Sequence, residues 1–195
     1  MNTIVLKPDT LRGRKPVIEP TPGTWICGGA IRSWFDGGSS PDVDVFGTDE
    51  EKLDGFISQR LASWDLKSEH PMTKTFTNGD KIVQVIQGKT FPTMDECLDY
   101  FDFTICQFGW DGQTVSSTPL ALITCLRKHL AIHKIHKEHA IDSMRRAFKY
   151  QRAGFTPCAG TLRDLAAAVQ LLTPEEMKAQ VEISPGGGLR TTRFD

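Results

Sequence analysis

Within ICGGAIRSWFDGGSSPDVDVFG, Ile26 to Gly47, five residues have the types and spacing of a phosphate-handling site: Gly28, Gly29, Arg32, Asp42 and Asp44. A Gly-Gly pair between a strand and a helix leaves no side chain to block backbone N–H groups from a triphosphate, and a helix N-terminus favours an anion. Arg32, one helical turn further on, has the forked guanidinium that meets phosphate oxygens in pairs. Asp42 and Asp44 alternate with Val43 and Val45, so on a strand both carboxylates point to one side and can share divalent cations. Such cations activate an attacking oxygen and stabilise a leaving pyrophosphate. Separately, Gly-Gly makes ordinary turns and D-x-D decorates ordinary strand faces. The information lies in their order along the chain.

The elements needed to hold these residues are readable around them. TWICGG is a short apolar strand ended by glycines, Ala30 to Phe35 is a short helix, DGGSSP is a loop and DVDVFG is an alternating strand. TDEEKLDGFISQRLASW then reads as a helix with a capping box, Thr48 at the N-cap and Glu51 three residues on, with Leu53, Phe56, Ile57, Leu61 and Trp64 at helical spacing. MTKTFTNGDKIVQVIQGKTF reads as two strands joined at Asn78-Gly79. TMDECLDYF is a short capped helix, and DFTICQFGWDGQTVSS a buried strand turning at Asp111-Gly112 into another. Helices follow, over Ile141 to Ala153, GTLRDLAAAVQLL, and TPEEMKAQ with Pro174 at its first position. The first 22 residues, with prolines at 8, 16, 20 and 22, form an extended arm holding at most one short strand.

GGAIRSWFDGGSSPDVDVF resembles the signature of the nucleotidyltransferase superfamily, nearest to the head of the CCA-adding tRNA nucleotidyltransferases and bacterial poly(A) polymerases. DFTIC, Asp102 to Cys106, is similar to the Arg-Arg-Asp-Phe-Thr-Ile-Asn motif of those enzymes. SMRRAFKYQRAGF, Ser143 to Phe155, resembles the helix that follows there. The FDFT and KY-x-x-x-GF phrasing also looks like that of small stand-alone proteins encoded by bacteriophages. This resemblance implies an α+β nucleotidyltransferase fold: a mixed, antiparallel-rich sheet flanked by helices, with a small C-terminal helical part. A core with its N-terminal arm is expected over 1–125 and a helical region over 126–183, and the low-complexity end SPGGGLRTTRFD is expected to form a flexible tail over 184–195.

By the same resemblance Gly28 and Gly29 embrace the triphosphate, Arg32 contacts it, and Asp42 and Asp44 bind Mg2+ or Mn2+ as catalytic residues. Two departures stand out. Tyr100 and Phe101 replace the paired arginines, and Cys106 replaces the asparagine. Asp102 keeps its place, to orient the sugar, to complete a carboxylate set, or merely to end a strand. In the CCA-adding enzymes a Glu-Asp-x-x-Arg helix reads the base; IDSMR keeps Asp142 and Arg145 at that spacing, either as a base-reading pair or as an exposed salt bridge.

The net charge of −1 conceals an asymmetry. Asp36 to Glu69 holds nine acidic and three basic side chains, whereas Ala121 to Gly160 holds eight Lys or Arg against Glu138 and Asp142. An acidic cation-holding part and a basic polyanion-holding part would produce this, and so would ordinary solvated faces. His129, His133, His136 and His139 lie among lysines that would repel a metal ion. With Arg146, Lys149 and Arg152 they read as a basic surface near the cleft mouth for nucleotide phosphates or RNA, or as a solvated helix.

The five cysteines form no C-x-x-C pair, and no apolar run approaches a membrane span. A soluble, cytoplasmic protein with reduced thiols and no membrane partner is therefore expected. The expected activity is metal-dependent transfer of a nucleotidyl group from a nucleoside triphosphate to a hydroxyl, foremost an RNA 3′ end, with a protein as another acceptor. The alternative is an inactive nucleotide-binding or interaction protein that keeps the fold. Only about 40 residues follow Phe155, whereas CCA-adding enzymes continue into a long neck, body and tail, so full tRNA end synthesis is not expected.

Overall fold

An eight-stranded mixed sheet organises the first 127 residues. The computed structural model describes residues 2–38, 40 and 42–183, and the chain divides into two units, Met1–Arg127 and Lys128–Asp195. The expected tail, 184–195, lies outside the described residues, as do Ser39 and Pro41 of the glycine-rich loop. Among the described residues no helix is long and apolar enough to cross a membrane.

In the first unit the strands are β1 (Ile4–Leu6), β2 (Thr24–Cys27), β3 (Asp42–Gly47), β4 (Asp65–His70), β5 (Thr73–Asn78), β6 (Lys81–Ile86), β7 (Phe108–Trp110) and β8 (Val115–Ser117). Their order across the sheet is β1-β8-β7-β2-β3-β6-β5-β4. The β3–β6 pair is parallel and the other pairs are antiparallel. Four helices accompany them: α1 (Gly29–Asp36), α2 (Glu50–Arg60), α3 (Met94–Tyr100) and α4 (Pro119–Leu126). Ile26, Val43, Val45, Val83 and Val85 are buried in the central strands, as alternation in a sheet covered by helices requires. Trp25, Cys27, Phe46, Phe91, Cys97 and Leu98 form one core cluster, with Tyr100 and Phe101 packed at its margin.

Several local expectations are corrected. Helix α2 is capped by Asp49, not Thr48: the Asp49 carboxylate accepts the Lys52 N–H at 2.8 Å, and the Thr48 hydroxyl donates to it at 2.8 Å. A capping box needs Glu at the third helical position, and that position is held by Lys52. The helix also stops at Arg60, leaving Trp64 in the following turn. The hairpin turns at Gly79-Asp80, one residue later than expected, because Asn78 pairs with Lys81 and Gly79 supplies the positive φ of 63°.

Thr104–Cys106 is a turn of 3₁₀ helix where a strand was expected, closed by Cys106 N–H to Phe103 O and Gln107 N–H to Thr104 O. Every residue from Asp102 to Trp110 is buried, so periodicity could not distinguish the two conformations. Edge strand β4 was not foreseen. It is polar and largely exposed, and it carries a register shift between Leu66 and Ser68, features that protect a free sheet edge.

The second unit is mainly helical: α5 (Ala140–Arg152), α6 (Ala159–Gln170) and α7 (Pro174–Ile183). The short strands β9 (His129–Leu130) and β10 (Thr156–Pro157) pair in parallel. Buried Ala140, Ser143, Ala147 and Tyr150 mark the packed side of α5, and the Thr161 hydroxyl donates to Leu130 O at 2.8 Å.

Candidate functional site: a glycine turn facing a carboxylate

The turn between β2 and α1 is held by the sheet, not by its own residues. Gly28 adopts φ 86° and ψ −136°, a conformation open essentially to glycine alone, and its N–H donates to Phe108 O at 2.8 Å across the β2–β7 pair. Of the two glycines, Gly29 therefore offers the N–H that begins the helix. The i→i−4 ladder starts with Arg32 N–H to Gly28 O at 3.0 Å, so the donors of Gly29, Ala30 and Ile31 precede it.

Asp44 sits opposite. Residues Cys27 and Asp44 are cross-strand partners, and a Cβ added at Gly28 would lie 3.9 Å from Asp44 Oδ2 and 3.5 Å from the Phe101 ring. The absent side chain thus leaves a slot that the Phe101 ring and the Asp44 carboxylate both adjoin. A Cβ at Gly29 would meet Ser40 Oγ at 3.3 Å and Arg32 Nη2 at 4.0 Å, which brings the loop hydroxyl and the guanidinium to the same turn. The Ser40 hydroxyl also donates to Asp42 O at 3.1 Å, tying the loop to the start of β3. Asp42 and Asp44 are half-buried while Val43 and Val45 are buried, the alternation that places both carboxylates on one face.

Arg32, 8% exposed, is on the second turn of α1 beside Gly29. Asp102 is 4% exposed and accepts the N–H of Phe103 at 2.9 Å. Among the described residues no group of three or more His, Cys, Asp or Glu is arranged to hold a metal ion. Asp42 and Asp44 are hard-oxygen groups two residues apart on one face of β3, the type of ligand a divalent cation takes.

Behind this corner the Cys27 and Cys97 sulfurs are 3.8 Å apart and buried. Burial foremost, then the neighbouring Cys97 and the Asp44 charge, raises the Cys27 thiol well above its ordinary range, so it stays a neutral packing group. Ser40 and Phe101 were missed as site residues by sequence reasoning. Ser40 was one polar residue in a loop, and Phe101 registered only as a substitution for arginine.

The remaining candidates belong to the second unit. Asp142 and Arg145 form an ion pair at 3.6 Å, both partly exposed. Arg146 donates to Ser143 Oγ at 3.4 Å, while Lys149 and Arg152 are exposed in the last turn of α5. The histidines do not converge. His136 and His139 rings are 6.5 Å apart, and His129 hydrogen-bonds Cys158.

Cys158 caps α6 and is the exposed cysteine of the five. Hydrogen bonds from the Thr161 hydroxyl and N–H, with a smaller one from His129, bring its thiol down to about 7. Iodoacetamide is therefore expected to label Cys158 first, at a rate that rises with pH and is half-maximal near pH 7, as peptide mass spectrometry would show. An inflection near the ordinary thiol value would contradict this.

Comparison with known proteins adds three findings. Residues 6–147 match the Gabija anti-defense 2 family. A protein of Bacillus phage SPbetaL7 named Gabija anti-defense 2 is 29% identical over 94 residues, 48% of this chain and 24% of that protein, so the chain spans about a quarter of its length. A tRNA-processing enzyme solved with CTP is 21% identical at TM-score 0.56, covering 76% of this chain and 43% of the enzyme. The Thermotoga maritima CCA-adding enzyme complexed with tRNA is 18% identical at TM-score 0.57, covering 82% and 42%. The fold is that of the nucleotidyltransferases.

Proposed function

The chain belongs to the Gabija anti-defense 2 family, and from that premise we propose that it is a nucleotidyltransferase that modifies an acceptor hydroxyl as its means of acting against a defence system. The acceptor oxygen forms a bond to the α-phosphorus of a nucleoside triphosphate, the α–β bridging bond breaks, pyrophosphate leaves and the acceptor's proton passes to solvent. The foremost acceptor is an RNA 3′ hydroxyl in the cytoplasm of an infected host, with a hydroxyl of a defence protein as the other. The observation that carries this reading is the turn at Gly28, where a Cβ would stand 3.9 Å from Asp44 Oδ2.

Each residue has a task in this reaction. Gly29 at the start of α1 and the nearby Arg32 guanidinium bind the triphosphate, the helix terminus adding its partial positive charge. Asp42 and Asp44 would hold Mg2+, which when bound would neutralise charge on the phosphates and polarise the reacting oxygens. Positioning and charge neutralisation supply the rate, as in phosphoryl transfer generally.

A second reading rests on Phe101. With Tyr100 it stands where paired arginines stand in the resembling motif, and its ring lies 3.5 Å from where a Cβ at Gly28 would be. A protein that binds nucleotide there without turnover, and acts by contact with a host protein, would tolerate that exchange.

Thermal melts with each NTP, with and without Mg2+, combined with radiolabel transfer to total RNA and total protein, separate the two. Transfer requires a Mg2+-dependent rise in Tm together with labelled product and released pyrophosphate. A rise without product favours the contact protein, and no rise with any nucleotide removes both.

A further inference from the structure

Helix α5 presents to solvent a face that carries cationic and aromatic side chains together. Its packed side is Ala140, Ser143, Ala147 and Tyr150, and the opposite side carries Arg145, Phe148 and Arg152 at successive turns. Phe148 is 57% exposed, the one large apolar side chain of α5 so exposed. Arg145 lies three residues before it and Arg152 four after, both spacings that put side chains side by side on a helix surface. Asp142 completes the row and holds Arg145 at 3.6 Å.

We infer that this face binds single-stranded RNA, with a base stacked on Phe148 and the flanking phosphates met by Arg145 and Arg152. An exposed phenyl ring costs free energy in water, and Phe148 is not among the buried residues of α5. A protein partner would call for a contiguous apolar patch, whereas here one ring stands between two guanidinium groups. Alternating aromatic and cationic groups match a strand that alternates base and phosphate, and a duplex, with its bases already stacked, has no free face to offer the ring. The proposal draws only its choice of RNA over DNA from the RNA acceptor proposed above. The binding itself requires no turnover.

The test is fluorescence anisotropy with the full chain and a labelled mixed-sequence 12-mer RNA, its duplex and the matching single-stranded DNA. Wild type is expected to bind the RNA strand in preference to the duplex. F148A should lose on the order of tenfold or more in affinity, F148W should retain it, and each of R145A and R152A should reduce the salt slope by about 0.7. Circular dichroism of F148A should match wild type, since the ring lies outside the packed side.

F148A binding within about twofold of wild type, equal affinity for duplex, roughly tenfold tighter binding of DNA, or no binding of the strand by wild type at low salt would each overturn the inference, the last pointing to a protein partner. The doubly substituted Asp42→Asn, Asp44→Asn protein is expected to bind the strand like wild type. Absence of transfer by the wild-type protein, with intact Phe148-dependent binding, therefore refutes only the transferase reading. Intact transfer with Phe148 indifferent refutes only the RNA face.

Discussion

Asp42→Asn combined with Asp44→Asn is expected to lower nucleotidyl transfer by at least about a thousandfold, with Tm little changed. The catalytic loss follows from the donor set: neutral amides remove the two anionic oxygen ligands, and a bound divalent cation contributes several kcal/mol of charge stabilisation to such a reaction, with about 1.4 kcal/mol per tenfold in rate. The stability expectation follows from the surroundings. Both carboxylates are half-buried on one face of β3, and Asp44 pairs across the ladder with Cys27, whose thiol burial and the Asp44 charge keep neutral. The exchange opens no cavity, because asparagine is isosteric with aspartate. Pyrophosphate release in excess chelator, or undiminished in the double variant, would remove the transferase reading. A collapse of Tm would instead mean that the carboxylates support the sheet.

Gly28→Val is expected to show the next largest effect, on stability and on nucleotide binding together. A branched residue at φ 86° and ψ −136° is strained by about 1–3 kcal/mol, which in a chain of this size corresponds to roughly 2–12 °C in Tm. The added Cβ itself would find ordinary contacts, 3.5 Å from the Phe101 ring and 3.9 Å from Asp44 Oδ2, but the methyl groups beyond it fill the slot. The NTP-dependent rise in Tm should vanish even where the variant folds. Gly29→Ala is the control, since its backbone is helical and its Cβ meets only side-chain atoms, the Ser40 hydroxyl at 3.3 Å and Arg32 Nη2 at 4.0 Å. It should melt within a few degrees of wild type. A Gly28→Val protein that melts and responds to nucleotide as wild type does would show that this turn is neither strained nor part of the phosphate site.

Much of the local structure was legible because short-range chemistry decides it. The Thr93 cap of α3 accepts the Glu96 N–H at 3.2 Å, as Thr-x-x-Glu before a helix signals. Alternation in DVDVFG needed no tertiary context either. Where the local signal was duplicated, the outcome shifted by one residue: Thr48 and Asp49 can each cap, and the carboxylate that reaches Lys52 N–H prevailed. Where every residue is buried, as across Asp102 to Trp110, periodicity vanishes and long-range contacts choose. There the Gln107 amide donates to Leu98 O at 3.1 Å and the Thr104 and Thr124 hydroxyls meet at 2.9 Å. Strand β4 was invisible for the opposite reason, since an edge strand exposed on both sides has no apolar pattern to read.

By itself the sequence determined which residues could perform phosphate chemistry, their order and the face each would occupy, because residue type and the periods of strand and helix are local properties. Only the tertiary structure decided that Asp44 lies across the ladder from the glycine turn, that the Gly28 N–H belongs to Phe108, that the Phe101 ring walls the slot and that Phe148 stays in water. Those outcomes depend on strand register and on packing between segments distant in sequence, which no local period encodes.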